Sequence, residues 1–321
     1  MKFTSFLAPQ IEDYILFRKA SMRWNDSYSA NMRSFDAYCV KQYPNTTVLT
    51  DKMVSGWCER NPTEKRNSCR ARIYCVIGFV DYLNNHHGAN LTEVVPPKRE
   101  PRNYVPHAYT QEKMDTFFAE CDRIKISSGP ISERKRKHLT IPVVFRLLYS
   151  TGMRPVEVRM LKRADVRLDN GVVGIEVSKG YDQRYVVLHD TTLALMVQYD
   201  RLISSVCPNR THFFPGEGDS CMPARFLTDV FRRIWLNVSD AYSRPYDFRH
   251  NYAIQNINSW LNAGLSYHQK LVYLSKSMGH RDVDGTRYYY SLVPVMAEVL
   301  EQQAGASFNE LIPEVHNEES I

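Results

Sequence analysis

Five short segments in the last two-thirds of the chain carry side chains that could do chemistry on an anionic substrate. A guanidinium group presents forked N–H donors that match two oxygens of an anion. Lysine and histidine can transfer protons, and a tyrosine hydroxyl becomes a nucleophile when cations surround it. In chain order the segments supply Arg154 with Glu157, Lys179, Tyr246 with Arg249 and His250, His280, and the tyrosine run 288–290.

Each segment taken alone has a plainer interpretation. Arg154 precedes Pro155 at a predicted helix start, where an arginine more often forms a surface salt bridge. Lys179 lies at the tip of a predicted hairpin, where a lysine is usually only solvated. A histidine after a glycine, as at His280, is often part of a helix cap, and tyrosines at helical spacing are mostly buried. The order of the whole set is therefore more informative than any member.

Hydrophobic periodicity predicts the elements that must position these residues. Apolar residues at helical spacing predict a series of helices in the second part of the chain. Two runs rich in β-branched residues, on either side of Lys179, predict a hairpin over 171–188. The predicted helices cover 110–123, 134–150, 154–162, 190–205, 222–237, 247–262 and 267–277.

The first part of the chain is also predicted to be helical. Its clearest apolar face runs from Cys69 to Leu83, and Gly88 is a plausible stop signal. Residues 88–109 are basic and proline-rich without periodicity, which favours a linker over an ordinary surface loop. We therefore predict a mainly α fold with a small β-sheet. Its parts are a helical N-terminal domain (1–87), a linker (88–109), a mixed α/β domain (110–294) and a C-terminal segment (295–321).

Charge is distributed unevenly over the 321 residues. The chain has 41 basic and 35 acidic residues, for a net charge of +6. Six of the acids and none of the Lys or Arg residues lie in 295–321, so residues 1–294 carry +12. A positive body suits a polyanion such as DNA or RNA, although a soluble protein with a high pI would have the same balance.

Composition excludes several other classes. Hydrophobic residues make up 43% and charged residues 24%, as in ordinary globular proteins. No apolar run approaches the roughly 20 residues of a membrane helix, and no secretory signal is evident. The seven cysteines include no Cys-x-x-Cys pair, which argues against a disulfide scaffold or a zinc ribbon. We expect a cytoplasmic protein with reduced cysteines and without a metal site.

The ordered motifs resemble those of the tyrosine recombinase family, which includes the phage integrases. The family pattern is an Arg within Thr-Gly-x-Arg-x-x-Glu, a hairpin Lys, His-x-x-Arg-His, Gly-His, and a Tyr about nine residues later. One position departs from it, because Tyr246 stands where the family has its first histidine, and a phenol cannot replace imidazole as a base at neutral pH. The matching positions are Arg154, Lys179, Arg249 with His250, His280, and Tyr289 nine residues after His280.

This resemblance implies a site-specific DNA recombinase. The Tyr289 hydroxyl would attack a DNA phosphate and form a 3′-phosphotyrosine with a free 5′-hydroxyl, without a metal or ATP. Arg154 and Arg249 would bind the non-bridging oxygens of the transition state. The other implied roles are Lys179 as proton donor to the leaving oxygen, His280 as phosphate donor or proton acceptor, Tyr246 as an added donor, and Glu157 as the group orienting Arg154 or His250.

The resemblance also implies particular partners. These are double-stranded DNA with a specific recombination site, clamped by the helical N-terminal domain and the catalytic domain, and further copies of the chain in a tetrameric synaptic complex. An accessory DNA-bending or directionality protein and docking of 295–321 onto a neighbouring copy also fit the family, and no membrane is implied. Arg66, Arg70 and Arg72 are candidate phosphate contacts.

Three rival functions explain part of the sequence. A catalytically inactive DNA-binding relative would need no intact set of motifs, yet all but the Tyr246 position match. A type IB topoisomerase uses similar tyrosine chemistry, but the resemblance to integrases spans nearly the whole chain. An RNA-binding protein would explain the charge and none of the ordered motifs.

Overall fold

The computed structural model describes residues 3–24, 26–100, 104, 106–125, 129–176, 183–259, 267–280, 286 and 289. The predicted Lys179 and the C-terminal segment 295–321 lie outside the described residues. The chain divides into two compact units, Met1–Tyr104 and Val105–Ile321.

The first unit is a bundle around one long helix. Helix α4 (Arg66–His87) packs against α1 (Ala8–Ala20), α2 (Asp26–Gln42) and α3 (Asp51–Cys58). The shared core is strongly aromatic, with Tyr14, Phe35 and Phe79 fully buried. The predicted stop is confirmed, because Gly88 caps α4 in the left-handed conformation with φ of +61°.

The second unit is helical with a small antiparallel sheet, so the predicted fold class is confirmed. The predicted hairpin is present as β2 (Val172–Ile175) and β3 (Arg184–Val187), with Val173 opposite Val186. A two-residue strand that was not predicted, β1 (Val166–Arg167), completes the order β1-β2-β3. Its described helices are α5 (Gln111–Asp122), α6 (Ile131–Thr151), α7 (Pro155–Met160), α8 (Asp190–Ser204), α9 (Phe226–Trp235), α10 (Asp247–Asn258) and α11 (Tyr267–Met278).

Helix α6 is the centre of this unit and sets the place of the candidate site. It packs against α5, α8 and α10, and Phe145 on α6 meets Phe117, Phe231 and Phe248 in one aromatic core. The helix ends at Thr151 and is capped by Gly152, which has φ of +63°. A Cβ atom at this position would lie 2.5 Å from the Tyr252 ring on α10. Only glycine allows the turn to pass so close to α10.

No described helix is both long and apolar enough to cross a membrane. Within the same residues, no group of three or more His, Cys, Asp or Glu side chains is arranged to hold a metal ion. The seven cysteines are free thiols.

Candidate active site

Arg249 is a buried cation at the centre of the candidate site. It lies in the first turn of α10, is 1% exposed, and donates from Nη1 to the Gly152 carbonyl (2.8 Å) and from Nη2 to the Met278 carbonyl. Among the described residues, its buried Nε–H has no hydrogen-bond partner. Burial, followed by the nearby charge of Arg154, lowers the pKa of Arg249. A buried cation with an open donor is poised to receive an anion.

Arg154 is the residue just before α7, and Glu157 fixes it. The carboxylate accepts from the Arg154 backbone N–H and from Nη1, both at 2.8 Å, while Nη2 donates to the Gly279 carbonyl at 2.7 Å. Glu157 has no exposed side-chain surface. Burial would raise the pKa of Glu157, but hydrogen bonds and charge from Arg184 and Arg154 outweigh it and hold that pKa below its usual value. The carboxylate is therefore ionised beside two arginines.

Arg184, the first residue of β3, is the second partner of Glu157. Its Nη1 and Nη2 donate to the two carboxylate oxygens at 2.9 and 2.7 Å, which is the forked geometry of a strong charged pair. Its Nε donates to the Ser277 carbonyl at the end of α11. The sheet is thereby joined to both the Arg154 turn and the end of α11.

Tyr289 lies in a small apolar cluster beside Arg249. It is 3% exposed and packs with Ala253, Ile257, Leu274 and Met278 of α10 and α11. The phenol of Tyr289 is close enough to Arg249 that its charge would raise the arginine pKa. The spacing-based choice of Tyr289 thus falls on a residue at the site, and Tyr288 and Tyr290 lie outside the described residues.

Two histidines flank the Tyr289 ring. The His280 ring lies 6.3 Å from it and nearly parallel, at 17°, and the His250 ring lies 5.6 Å away. His280 follows the left-handed Gly279 (φ +63°), and its Nδ1 is 2.6 Å from the Thr286 hydroxyl. That contact fixes the orientation of the imidazole.

Tyr246, the departure from the family pattern, immediately precedes α10. Its ring is 5.1 Å from the His250 ring, and its phenol is also near enough to Arg249 for its charge to act on the guanidinium. The pKa of His250 is lowered to about 4, mainly by burial; Asp247 opposes the shift, and Arg244 and Arg249 add to it. His250 is therefore a neutral imidazole near pH 7, between two tyrosines.

Residues 109–294 match the model of the phage integrase family. The chain belongs to the phage integrase family. This membership confirms the predicted family and, with it, the predicted class of enzyme. The relative y4rE of Sinorhizobium fredii, which bears the name integrase/recombinase, is 26% identical over 300 residues, covering 89% of this chain and 92% of that protein.

Solved structures support the fold of this phage integrase family member. A XerH site-specific recombinase bound to its difH substrate is 18% identical with a TM-score of 0.58, covering 87% of this chain and 78% of that one. A lambda integrase tetramer bound to a Holliday junction is 14% identical with a TM-score of 0.51, covering 86% and 77%. At these identities the likeness is one of fold.

The structure therefore places most of the family's motif residues together in this integrase family member. Arg154 comes from the turn between α6 and α7, Arg249 from α10, and His280 and Tyr289 from positions after α11. The contacts of Glu157, His250 and Tyr246 make their predicted roles testable. Lys179 lies outside the described residues. Arg184 was missed, since an arginine at a strand start gives no local sign that its partners lie 27 and 93 positions away.

The three candidate phosphate contacts Arg66, Arg70 and Arg72 differ in how exposed their side chains are. Arg72 is held inside the first unit, bonded to Glu64 and to the carbonyls of Trp57 and Glu59, with 12% of its side chain exposed. Arg70 donates to the Pro97 carbonyl and the Tyr74 hydroxyl. Arg66 is half-exposed, with a long 3.6 Å contact to Glu100. Arg66 is thus the most accessible candidate for a phosphate contact.

Proposed function

We propose that this phage integrase family protein is a site-specific DNA recombinase that cuts and rejoins DNA through a phosphotyrosine at Tyr289. The observation that carries the proposal is the buried Arg249, whose Nε–H has no acceptor among the described residues, beside Tyr289. A phosphate diester would supply both the missing acceptor and the missing negative charge. Membership of the family supports the same chemistry.

Cleavage is a transesterification. The Tyr289 oxygen attacks phosphorus, the bond to the 5′-oxygen breaks, and the DNA 3′-phosphate becomes joined to the tyrosine. The tyrosine hydroxyl gives its proton to a base, for which His280 is the candidate. The departing 5′-oxygen gains a proton, and we assign its donation to Lys179. Rejoining is the reverse reaction by a 5′-hydroxyl of the partner duplex, so the number of phosphodiester bonds is unchanged and no nucleotide triphosphate is consumed.

Arg154 and Arg249 would stabilise the transition state, in which both non-bridging oxygens carry negative charge. Each guanidinium has five N–H donors, and the described contacts of Arg154 use two through Nη1 and Nη2. Donors held in place by carbonyls and a carboxylate need little reorganisation when charge develops. The phosphate would also offset the burial and the repulsion from Arg154 that together lower the pKa of Arg249.

The histidines and Tyr246 would complete the site. His280, parallel to Tyr289 and fixed by Thr286, is assigned as phosphate donor or acceptor of the tyrosine proton. His250 is neutral, and its low pKa suits it to accept a hydrogen bond near Tyr289 rather than to take up a proton at pH 7. Tyr246, close to Arg249, would donate a hydrogen bond to the phosphate in place of the family's histidine.

Double-stranded DNA is the proposed partner, and the positive charge of residues 1–294 suits it. We assign the helical N-terminal domain, residues 1–87, to DNA clamping with Arg66 as the leading contact. The linker 88–109 and the catalytic domain 110–294 follow it. We further propose a tetramer on two recombining sites, as in the lambda integrase tetramer on a Holliday junction. We also propose an accessory DNA-bending or directionality protein and docking of residues 295–321 onto a neighbouring copy of the chain. The reaction is proposed to take place in the cytoplasm.

Covalent adducts test the nucleophile and the reaction together. Cells would express the full chain beside the DNA that flanks its gene, and denaturing lysis would recover protein-linked DNA for sequencing. Tyr289→Phe should abolish adducts, whereas Tyr288→Phe and Tyr290→Phe, the matched neighbours, should retain them at one sequence. If adducts were lost with Tyr288→Phe or Tyr290→Phe instead, the replaced tyrosine would be the nucleophile.

A second arm separates recombination from the rival functions. Duplexes carrying one or two copies of the recovered sequence would be incubated with the protein. Recombinant products that require two sites identify a recombinase. Relaxation of a supercoiled one-site plasmid without recombinants would favour a topoisomerase, and no adduct even on a nicked trapping substrate would favour an inactive DNA-binding relative.

A further inference from the structure

The buried carboxylate of Glu157 is shared between two arginines. It accepts four N–H donors, two at each oxygen, between 2.7 and 2.9 Å. Arg184 supplies two of them through both Nη atoms, whereas Arg154 supplies one from its side chain and one from its backbone. The forked pair, which is the stronger arrangement, is therefore the one between Glu157 and Arg184.

This division matters for the charge that Arg154 can offer to a phosphate. One carboxylate lies between two guanidinium groups, so the trio has a net charge of +1. The exposed side-chain fractions are 0% for Glu157, 7% for Arg184 and 15% for Arg154. The more buried arginine makes the forked pair, and the arginine with the most open surface retains donors. Without Arg184, Arg154 would be the only described cation bonded to a fully buried carboxylate.

Arg184 also lies against the turn that leads to His280. Its Nε donates to the Ser277 carbonyl at 2.8 Å. A Cβ atom on Gly279 would lie 2.8 Å from Arg184 Nη1 and 3.1 Å from its Cζ, so the guanidinium is packed directly on this glycine. The carbonyl of the same glycine accepts from Arg154 Nη2. One side chain thus touches both supports of Arg154.

We propose that Arg184 is a positioning residue of the cleavage reaction: by pairing with Glu157 and holding the Ser277–Gly279 turn, it leaves the charge of Arg154 available to the scissile phosphate. The proposal rests on the proposed function. It predicts that most of the cleavage rate lost on removing Arg184 is lost because the Glu157 carboxylate then keeps its negative charge without its forked partner. Removing that carboxylate should then restore part of the rate.

A double-mutant cycle on the full chain tests this relationship. The variants are Arg184→Met, Arg184→Lys, Glu157→Gln and the double variant Arg184→Met/Glu157→Gln. Arg167→Met is the matched control, since Arg167 is an exposed arginine on β1 of the same sheet. Single-turnover cleavage is measured on a nicked duplex of the sequence recovered at Tyr289 adducts, with the Kd for the same duplex and the melting temperature of each variant.

Arg184→Met should slow cleavage by about 100-fold, the scale of losing one charge-stabilising donor, with the Kd within about 3-fold of wild type. Arg184→Lys, which keeps the charge but not the fork, should lose about 10-fold. The double variant should cleave about 10-fold faster than Arg184→Met and melt at a higher temperature. Arg167→Met should match wild type.

Either of two results would overturn the proposal. In the first, Arg184→Met cleaves as fast as Arg167→Met. In the second, Arg184→Met/Glu157→Gln cleaves no faster than Arg184→Met, as expected if the role of Arg184 were purely structural. If the wild type formed no Tyr289 adduct, the proposed function would fail by itself. The melting temperatures would still decide the charge relationship, because a double variant no more stable than Arg184→Met contradicts it.

Discussion

Arg249 donates a 2.8 Å hydrogen bond from Nη1 to the carbonyl oxygen of Gly152, the residue that caps α6 two positions before Arg154. The same guanidinium reaches the carbonyl of Met278, the last residue of α11. One buried side chain therefore joins the turn that carries Arg154 to the turn that leads to His280. The distances that separate Arg249, Arg154 and His280 therefore depend on these two hydrogen bonds.

Arg249→Lys should separate catalysis from DNA binding. Lysine keeps the charge but cannot bridge both carbonyls and still present a donor in the position of Nε. We expect single-turnover cleavage to fall by about 100- to 1,000-fold, as for other lost transition-state donors, while the Kd for DNA changes by less than about 3-fold. Equal losses in rate and affinity would show instead that Arg249 serves mainly to bind DNA.

His250 should make the second unit lose stability on mild acidification. Its pKa is about 4 in the folded protein, against about 6.5 in an unfolded chain, so below pH 6.5 the unfolded state binds the additional proton. The stability linked to this group is present near pH 7 and is lost as the pH falls towards 4. At pH 5.5 the loss is about 1 kcal/mol.

Urea unfolding of wild type and His250→Gln at pH 7.5 and 5.5 measures that loss. The difference between the two pH values should be smaller for His250→Gln by about 1 kcal/mol. An unchanged difference would mean that His250 titrates alike in the folded and unfolded states.

Gly152→Ala should destabilise the second unit through two separate effects. A positive φ of +63° is strained for alanine, and the new Cβ would meet the Tyr252 ring at 2.5 Å. Gly218→Ala is the matched control in the same unit, because Gly218 has φ of +59° and open space around its Cβ position. We expect about 1 kcal/mol of destabilisation for the control, and at least about 2 kcal/mol for Gly152→Ala. Equal values would show that Tyr252 moves aside without cost.

Arg66 and Arg72 should give opposite phenotypes. Arg66→Ala should leave the melting temperature unchanged and lower the salt dependence of DNA binding by about one phosphate contact. Arg72→Ala should lower the stability of the first unit by about 1–3 kcal/mol, because the Glu64 carboxylate and two carbonyls lose their donor. Affinity measured from 50 to 200 mM salt, together with thermal unfolding, separates the two roles.

Features that repeat along the sequence could be predicted, and those that depend on a distant partner could not. The apolar periodicity of α4 to α11 and the glycine after α4 are local, and they gave the helices and the stop at Gly88. Strand β1 has two residues, too few to show an alternation. Arg72 follows predicted helical periodicity, but its bonds to Glu64 and Trp57 depend on how α3 meets α4.

The same distinction applies to the candidate site. Arg154, Arg249, His280 and Tyr289 stand in short motifs whose order is informative, whereas Arg184 is recognisable only by its distant contacts. The neutral state of His250 likewise results from burial, which its neighbours in the sequence do not indicate.

The apolar surroundings of Tyr289 bear on how the linkage to DNA would end. The ring of a phosphotyrosine formed there would pack against Ala253, Ile257, Leu274 and Met278, and these side chains offer no hydrogen bond to a hydrolytic water. Such a water would have to be held from the polar side of the ring, where the DNA also binds. A DNA hydroxyl positioned by base pairing would then compete for the linkage with little opposition from hydrolysis. Each hydrolysed linkage would leave a nick that the reverse reaction could not rejoin, so the apolar packing around Tyr289 would favour intact DNA products.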